Sequence, residues 1–317
     1  MTVTLQSAEN FRVVSLLPSA TEIIAAIGCG HLLVGRSHEC DYPEWVSRLP
    51  VCSTSRIDVS KPSDQIDRDV KGLLKNALSI FEVDAEALAE LRPTHIVTQT
   101  QCEVCAVSPQ DVDAALCEIT RLEPTIISVE PKRFQQIFAD VRTIGKALGS
   151  ESTAKSLNLE LAEKIAQVYS QATFQDTRPT VGCIEWIEPL MSAGNWVPDL
   201  VELAGGDDVL ATVGEHSPWL SWEKLQSADP EILIVMPCGF SIERTEQEFH
   251  LLESHSEWPN LKAVRENKVF ITDGNQLFNR PGPRVLESVE VLAEIIHPEV
   301  FEPRNSELWR RVENCNG

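Results

Sequence analysis

Short apolar runs rich in β-branched residues alternate with segments of helical periodicity along this chain of 317 residues. A bounded run of four to eight such residues predicts a buried strand, whereas apolar residues three and four apart predict an amphipathic helix. Strands that alternate with helices are typical of α/β folds with parallel sheets. The strand-like runs are "RVVSLL", "LLVGRS", "THIVTQT", "PTIISV", "TVGCIEWI", "EILIVMPCGF" and "KVFITDG".

The first predicted helix, "SATEIIAAIG", follows the strand that ends at Pro18. We expect Ser19 to be its N-cap, because Glu22 stands three residues later, as in a capping box. Either Gly28 or Gly30 is expected to end this helix, since glycine is common just past a helix C-terminus.

A long helical pattern divides the chain. Apolar spacing from Ser152 to Ala172 predicts a helix about 30 Å long. The segment "QDTRP" then breaks the pattern, and strand–helix alternation restarts. The sequence therefore predicts two α/β lobes bridged by one long helix. The predicted boundaries are residues 1–150 for the N-terminal lobe, 151–173 for the linking helix and 174–317 for the C-terminal lobe.

The charge balance excludes two classes of partner. The formal net charge is −21, with a pI near 4.7. Nucleic acids and anionic lipid surfaces attract basic proteins, so neither is an expected partner. No stretch approaches the roughly 18 apolar residues of a membrane span. The N-terminal sequence lacks a signal-peptide pattern, so we expect a cytoplasmic location, or a periplasmic one if the sequence is a trimmed mature form.

Segments spread from Arg12 to Pro303 carry a family resemblance. They are "RVVSLLPSATEIIAAIGCGHLLVGRSHECDYP", "LAELRPTHIV", "WVPDLVELAGGDDVL", "WEKLQSADPEILIV" and "RPGPRVLESVEVLAEIIHPE". Together they resemble the iron/vitamin B12 class of ABC-transporter substrate-binding proteins. The resemblance implies a class III periplasmic-binding-protein fold, in which a helix joins two α/β lobes and the ligand lies in the cleft between them.

The same resemblance implies a function. It indicates a soluble binding protein for cobalamin or a related corrinoid or tetrapyrrole, used for storage, delivery or sensing, with heme or a ferric chelate as alternatives. The absence of a leader pattern and the presence of cysteine-bearing loops suggest a cytosolic branch of the family. Glu86 and Glu223 match the family positions that dock onto a membrane permease, so permease docking is a further implied partnership.

The candidate ligand contacts lie where strands end, because ligands of open α/β sheets bind outside the carboxyl ends of the strands. Aromatic residues are predicted to form walls for a flat ring, polar residues to bind its rim, and His38 or a thiolate to ligate its metal. Trp219 and Trp222 fit core packing equally well. The predicted contacts are Ser19, Arg36, His38, Glu39, Tyr42, Gln101, Glu185, Trp186, Asn195, Trp196, Phe240, Asn275 and Arg280.

The nine cysteines leave alternatives open. Cys40, Cys102, Cys105 and His38 have the donor types of a zinc or iron site, and the spacing of "CEVC" suits two thiolates on one ion. Cys183 and Cys238 are weaker candidates in other strand-exit loops, and buried packing is the alternative for all of these thiols. A metal- or thiol-dependent enzyme on the same scaffold is thus a second hypothesis. No residue set indicates a catalytic mechanism, so a ligand-binding protein is favoured. For the remaining cysteines we expect packing: Cys29, Cys52, Cys117 and Cys315.

Overall fold

The computed structural model describes residues 10–75, 80–99, 110–112, 123–174 and 178–313. The chain divides into two compact units. Unit 1 comprises Met1–Ser60, Arg68–Pro131 and Gln135–Leu159. Unit 2 comprises Lys61–Asp67, Lys132–Phe134 and Glu160–Gly317. The predicted boundaries at residues 150 and 173 remain a prediction, since the division falls inside the long helix.

Unit 1 contains a parallel sheet in the order β2–β1–β5–β6. A separate antiparallel pair, β3 with β4, belongs to the same unit. The central strands β1 and β5 are buried on both faces, and neither shows the alternation of apolar and polar residues that a half-exposed strand would have. The strands are β1 (Val13–Ser15), β2 (Leu33–Arg36), β3 (Ser53–Ser55), β4 (Phe81–Val83), β5 (His95–Gln99) and β6 (Thr125–Val129).

The core of unit 1 forms between the sheet and its helices. Ile23, Ile24 and Ile27 pack against Val13 and Val97 in one buried cluster. Their three- and four-residue spacing places them on one helix face, as the sequence pattern predicts. The helices of this half of the chain, of which α2, α4 and α5 extend into unit 2, are α1 (Pro18–Ala26), α2 (Ser63–Lys75), α3 (Ala85–Leu91), α4 (Phe134–Ala147) and α5 (Glu151–Ala172).

The predicted start of α1 is wrong in one respect. The helix begins at Pro18 with Leu17 in the N-cap position, and no side chain caps it. Proline is favoured at the first helical position because its fixed φ suits the helix and its missing N–H costs nothing there. Ser19 is therefore inside the helix and buried, and Thr21 rather than Ser19 donates a side-chain hydrogen bond, to Ser15 Oγ at 2.8 Å.

Unit 2 contains a mixed sheet in the order β12–β11–β10–β7–β8, with β9 paired to β7. Its centre is parallel, whereas β8 and β12 run antiparallel at the edges. The strands are β7 (Thr180–Trp186), β8 (Met191–Ser192), β9 (Asp207–Asp208), β10 (Ile232–Val235), β11 (Val269–Thr272) and β12 (Trp309–Arg311).

The core of unit 2 joins the inner faces of these strands to the surrounding helices. Ile184, Leu233 and Ile271 from the sheet pack with Leu225 and Trp258. The helices are α6 (Val197–Leu203), α7 (Trp222–Ala228), α8 (Ile242–Glu248), α9 (His250–Glu253), α10 (Lys262–Arg265) and α11 (Val285–Ile296). The predicted α/β class, the strand positions and the long helix are confirmed, with α5 extending over 22 residues.

One local arrangement occurs once in each unit. Asp84 caps α3 by accepting from the backbone N–H three residues on, and Ser221 caps α7 in the same way. Each helix ends at a residue with left-handed backbone, Arg92 at φ 48° and Asp229 at φ 39°. A proline follows directly, and the next strand begins two residues after that proline in both units. The two segments have the same spacing throughout, from N-cap to strand.

The two predicted docking residues occupy matching places in this arrangement. Glu86 is the second residue of α3, and Glu223 is the second residue of α7. Both side chains are exposed. The structure thus gives them equivalent local settings, although the sequence shows no clear repeat.

Candidate functional site

The predicted contacts within the described residues lie at or near strand ends in both units. In unit 1 they follow β1 and β2, and in unit 2 they follow β7, β10 and β11. Three predicted residues lie outside the described part of the chain: Gln101, Cys102 and Cys105.

His38, in the loop after β2, has defined contacts on two sides of its ring. Its Nδ1 lies 3.1 Å from Ser53 Oγ, and the Ser53 hydroxyl donates to Ser37 Oγ at 3.2 Å. The ring also packs at a tilt against Phe81, with centroids 5.7 Å apart. Burial lowers the pKa of His38, and the nearby Arg36 charge adds to that effect, while a hydrogen bond with the Ser53 backbone opposes it. The half-buried imidazole is therefore held in place and neutral at pH 7.

Arg36 shapes the loop that carries His38. One guanidinium nitrogen donates to the carbonyl oxygens of Ser37, at 2.9 Å, and of His38, at 3.4 Å. The other donates to Ser47 O at 3.1 Å. The guanidinium is thus engaged with its own loop, and the structure shows a supporting role for Arg36. Glu39 is half-buried and Tyr42 is exposed in the same loop.

Most of the cysteine thiols in the described segments are buried. Cys40 is buried and lies 3.1 Å from the Thr21 hydroxyl oxygen. Cys183 was predicted in a strand-exit loop, but it lies inside β7 with no exposed surface. Burial, reinforced by Asp208 and Glu185, raises the pKa of Cys183 well above its usual value, which disfavours the thiolate. Cys238 is partly exposed.

A metal site built from these side chains finds no support in the described segments. Among those residues, no group of three or more His, Cys, Asp or Glu side chains is placed to hold an ion. Cys29 and Cys52 are buried, as expected for packing, and burial raises the pKa of Cys52 to about 11. Cys102 and Cys105, on which the zinc or iron hypothesis depends, lie outside the described ranges, as do Cys117 and Cys315.

In unit 2, three large side chains lie side by side at the edge of the sheet. Trp186 at the end of β7 pairs with Met191 of β8, and Met191 pairs in turn with Trp219. The flanking backbone bonds, Ser192 N to Pro218 O and Leu220 N to Leu190 O, make Met191 and Trp219 a non-hydrogen-bonded pair, the arrangement with the closest side chains. We call Trp186, Met191 and Trp219 the tryptophan row.

The tryptophan row faces away from the core. Leu190 and Leu220, the residues adjacent to Met191 and Trp219, belong to the buried cluster of unit 2. Because adjacent side chains point to opposite faces, Met191 and Trp219 lie on the other face. Trp186 shares that face because it pairs directly with Met191, beyond a register shift that separates it from Ile184. Trp186 and Met191 are half-buried, and Trp219 is 56% exposed. This face is therefore an apolar and accessible surface.

Phe240 supports one end of the row. Its ring centroid lies 5.2 Å from that of Trp186, at an interplanar angle of 56°. Phe240 is itself buried beneath the Arg244 guanidinium, whose carbon lies 4.5 Å from the ring centroid. Trp186 is fixed further by its indole N–H, which donates to Glu188 O at 3.1 Å. Phe240 therefore orients Trp186, while Trp186 offers the accessible ring.

Two other predicted contacts in unit 2 have structural partners. Trp196 is buried, and its indole N–H donates to Phe278 O at 2.8 Å, so it ties α6 to the loop after β11. Glu185 accepts from the Ser217 hydroxyl at 2.9 Å. Asn195 adopts a left-handed backbone at φ 52°. That conformation is uncommon outside glycine and asparagine, and it marks a tight turn.

The loop after β11 is built around Asp273. Its carboxylate accepts from Asn275 N at 2.9 Å and from Gln276 N at 2.7 Å. Arg280 is buried and donates to Asn275 Oδ1 at 3.2 Å. Gly274 permits a close approach, because a Cβ at that position would lie 2.1 Å from Pro237 O. The loops that follow β10 and β11 are thus packed directly on each other.

Sequence reasoning missed Ser53 and Met191 and undervalued Trp219. Ser53 is in a three-residue strand of the antiparallel pair, and Met191 is in a strand of two residues. Neither carries a periodic signal. The signal that was available was the segment "SPWLSW", in which the exposed Trp219 alternates with the buried Leu220.

A comparison with protein families identifies the chain. The family described as "Periplasmic binding protein" (Peripla_BP_2) matches residues 13–276. The chain belongs to this family. The resemblance to the iron/vitamin B12 substrate-binding class is thereby confirmed, as is the class III fold.

Individual members of the periplasmic binding protein family are distant in sequence and similar in extent. The ABC transporter substrate-binding lipoprotein YvrC of Bacillus subtilis is 22% identical over 297 residues, covering 93% of this chain and 82% of the relative. A vitamin B12-binding protein of Vibrio parahaemolyticus is 23% identical over 290 residues, covering 89% and 88%. A periplasmic heme-binding protein of Pseudomonas aeruginosa has a TM-score of 0.71 at 19% identity, covering 96% and 99%.

These comparisons place the chain among binding proteins of ABC transporters and leave its ligand to be identified. The relatives' names include both vitamin B12 and heme. Within the described ranges, none of the helices combines the length and apolar character needed to cross a membrane.

Proposed function

We propose that this periplasmic binding protein binds cobalamin or a related corrinoid or tetrapyrrole and serves its delivery, storage or sensing. Family membership establishes the class of protein, and we infer the flat macrocyclic ligand from the residues of the site. The location of that ligand between the two lobes, which the resemblance implies, stays a prediction.

The tryptophan row is the observation that carries the proposal. Trp186, Met191 and Trp219 present two indole rings and a thioether on one accessible face of the sheet edge. Corrin and porphyrin rings are broad and apolar on their faces, so stacking on aromatic side chains is their natural mode of recognition. A thioether adapts to a curved or irregular ring surface. A strongly hydrated ligand would gain little from such a surface.

Polar groups of the same unit suit the rim of such a ring. Asn275 and Arg280 lie in the strand-exit loop after β11, where the Asp273 carboxylate fixes the backbone. Corrins carry amide side chains and porphyrins carry carboxylates, and an amide and a guanidinium recognise both. An apolar platform with a few oriented polar groups is the usual composition of a small-molecule site.

The test is a titration of the purified protein with hydroxocobalamin and, separately, with hemin, followed by gel filtration and absorption spectroscopy. We expect one of the two to co-elute with the protein. Replacement of Trp219 or Trp186 by alanine should then weaken binding about tenfold, the loss of one aromatic contact of roughly 1 kcal/mol or somewhat more.

Trp222→Ala is the matched control. Trp222 is half-buried and stacks on His255, with ring centroids 3.8 Å apart. The substitution therefore removes an aromatic contact from the same unit and leaves the tryptophan row unchanged. The Trp222→Ala protein should bind the ligand with the affinity of the wild type. Retention of neither compound at tens of micromolar would contradict the proposed function, and equal losses in all three variants would contradict the role of the row.

We also propose that Glu86 and Glu223 dock the protein onto the permease of its ABC transporter. Support comes from family membership and from the matching, exposed positions of the two carboxylates on α3 and α7. Glu86→Lys and Glu223→Lys should leave the ligand Kd unchanged and weaken association with permease-containing membranes. Unchanged association in the double variant would contradict this assignment.

A further inference from the structure

Glu185 is an extra residue of β7 where that strand pairs with β8. Ile184 pairs with Ser192 of β8. Trp186, two residues further along β7, pairs with Met191, which is adjacent to Ser192. The strand β7 thus advances two residues where β8 advances one, which is the arrangement of a β-bulge. A bulge changes the direction of the side chains that follow it, and bulges are frequent beside functional sites.

The bulge determines which side chain joins the tryptophan row. In an uninterrupted register Glu185 would pair with Met191, because each step along an antiparallel pair moves one residue on both strands. Trp186 would then pair with Leu190, which belongs to the buried cluster of unit 2. A one-residue slip exchanges the two faces of a strand, so the row would contain a carboxylate in place of an indole. A carboxylate there would oppose the binding of an apolar ring, because the ring would remove its hydration.

Hydrogen bonds hold the extra residue in the observed register. The Glu185 carboxylate accepts from the Ser217 hydroxyl at 2.9 Å. The Ser217 oxygen accepts in turn from Gly194 N at 3.1 Å, and Ser217 is buried, so water competes little for either bond. The backbone of the bulge is bonded as well, since Cys238 N donates to Glu185 O at 3.1 Å. Both the side chain and the carbonyl group of the extra residue therefore have partners in this register.

Trp219 is oriented by different bonds. The residues on either side of it are bonded to β8 through Pro218 O and Leu220 N, at 3.1 Å and 2.9 Å. These backbone bonds fix the direction of Trp219 without a side-chain partner. The direction of Trp186 depends instead on the bulge that precedes it.

We infer that Glu185 is a positioning residue for ligand binding: its bulge, held by Ser217, aims Trp186 into the tryptophan row. This inference rests on the proposed function. Glu185 and Ser217 act through Trp186, and neither side chain has to contact the ligand.

The first experiment is a double-mutant cycle, with hydroxocobalamin and hemin each used as the probe. Glu185→Ala and Ser217→Ala should each weaken binding of the retained compound by at least threefold and up to about tenfold, the loss expected for Trp186→Ala. In a Trp186→Ala background the same two substitutions should change affinity by less than about twofold, because effects that act through one side chain are not additive.

Two variants control this cycle. Glu185→Gln keeps a side-chain oxygen that can accept from Ser217, so it should bind within about twofold of the wild type. Thr180→Val removes a hydroxyl that accepts from Glu231 N at 3.0 Å, at the other end of β7. It should leave the affinity unchanged.

The second experiment needs no ligand. Labelling with 5-fluorotryptophan places one fluorine on each of the seven tryptophans, and the resonance that is lost in Trp186→Phe belongs to Trp186. In the wild type this resonance should be single and should broaden with a water-soluble paramagnetic probe. Glu185→Ala and Ser217→Ala should each add a second Trp186 resonance that the probe broadens less, because the slipped register buries the ring.

The two experiments separate the inference from the proposed function. Equal losses of affinity in the wild-type and Trp186→Ala backgrounds would show a merely structural role and overturn the inference, as would a single, unchanged Trp186 resonance in both alanine variants. A wild-type protein that binds neither probe contradicts the proposed function, and fluorine spectra then decide the role of the bulge alone. If the alanine variants do not fold, as judged by circular dichroism, Ser217→Cys replaces them in both experiments, since a thiol is a weaker donor.

Discussion

Glu294 fastens the C-terminal segment of the chain to α11, and its removal should destabilise unit 2. The carboxylate is 4% exposed. It accepts from Arg304 N at 3.1 Å, from Asn305 N at 3.2 Å, from Asn305 Nδ2 at 2.9 Å and from Trp309 Nε1 at 2.9 Å. Trp309 begins the edge strand β12, so Glu294 holds the segment before that strand, together with the backbone bond from Asp273 N to Leu308 O.

The size of the effect follows from the number of donors. A hydrogen bond to a charged group contributes about 1.5–3 kcal/mol, and donors left without an acceptor add a desolvation penalty when buried. Because several donors remain near the surface and can reach water, Glu294→Ala should lower the free energy of unfolding by about 3–5 kcal/mol rather than by the full sum. Glu294→Gln keeps one acceptor oxygen and should cost about 1–2 kcal/mol.

Two measurements test this prediction: urea unfolding and amide hydrogen exchange. The urea midpoint should fall in the order wild type, Glu294→Gln, Glu294→Ala, and the amides of Arg304 and Asn305 should exchange faster in the alanine variant. Glu302→Ala, which removes an exposed carboxylate nearby, is the control. An alanine variant within about 0.5 kcal/mol of the wild type would refute the reasoning, because that range is typical of ordinary surface substitutions.

Three further predictions concern unit 1 and the site. Burial, with the charge of Glu130, raises the pKa of Asp140 to about 7, so stability should fall as pH rises from about 4 towards 7. Asp140→Asn should therefore stabilise the protein at pH 8 by about 1–2 kcal/mol, and not at pH 4, in urea titrations. Gly274→Ala should lower Tm and ligand affinity together, because its Cβ would lie 2.1 Å from Pro237 O. Gly72→Ala, in an open position of α2, should instead stabilise by about 0.5–1 kcal/mol.

The predictions for Asp140→Asn and Gly274→Ala each have a result that would contradict them. Equal effects of Asp140→Asn at both pH values would show that the carboxylate is not penalised by burial. A Gly274→Ala protein with wild-type Tm and affinity would show that the two strand-exit loops separate without cost.

The architecture was predictable because it depends on local periodicity. β10 is a continuous apolar run, and α5 repeats its apolar positions over many turns, so each is recognisable without knowledge of its neighbours. The start of α1 was mispredicted because two local signals competed. Pro18 fixed the first turn, and the spacing of Ser19 and Glu22 was coincidental.

The site was only partly predictable because its geometry comes from distant segments. Trp196 looked like a ligand wall, but its indole N–H is satisfied by Phe278, far along the chain. The tryptophan row exists because β8 pairs on both sides, and a strand of two residues has no pattern to reveal this. His38 was identified from its place after a strand, whereas its partner Ser53 belongs to a different sheet.

The repeated segment that joins α3 to β5 and α7 to β10 also limits which insertions the protein can accept. In both units a left-handed residue and a proline stop the helix, and the strand starts at a set distance beyond them. One inserted residue between Arg92 and His95, or between Asp229 and Ile232, would rotate the following strand so that its two faces exchange. Both strands are buried on both faces, so every side chain would meet the wrong neighbours. At these two junctions the chain therefore accepts substitutions more readily than the insertion or deletion of a single residue.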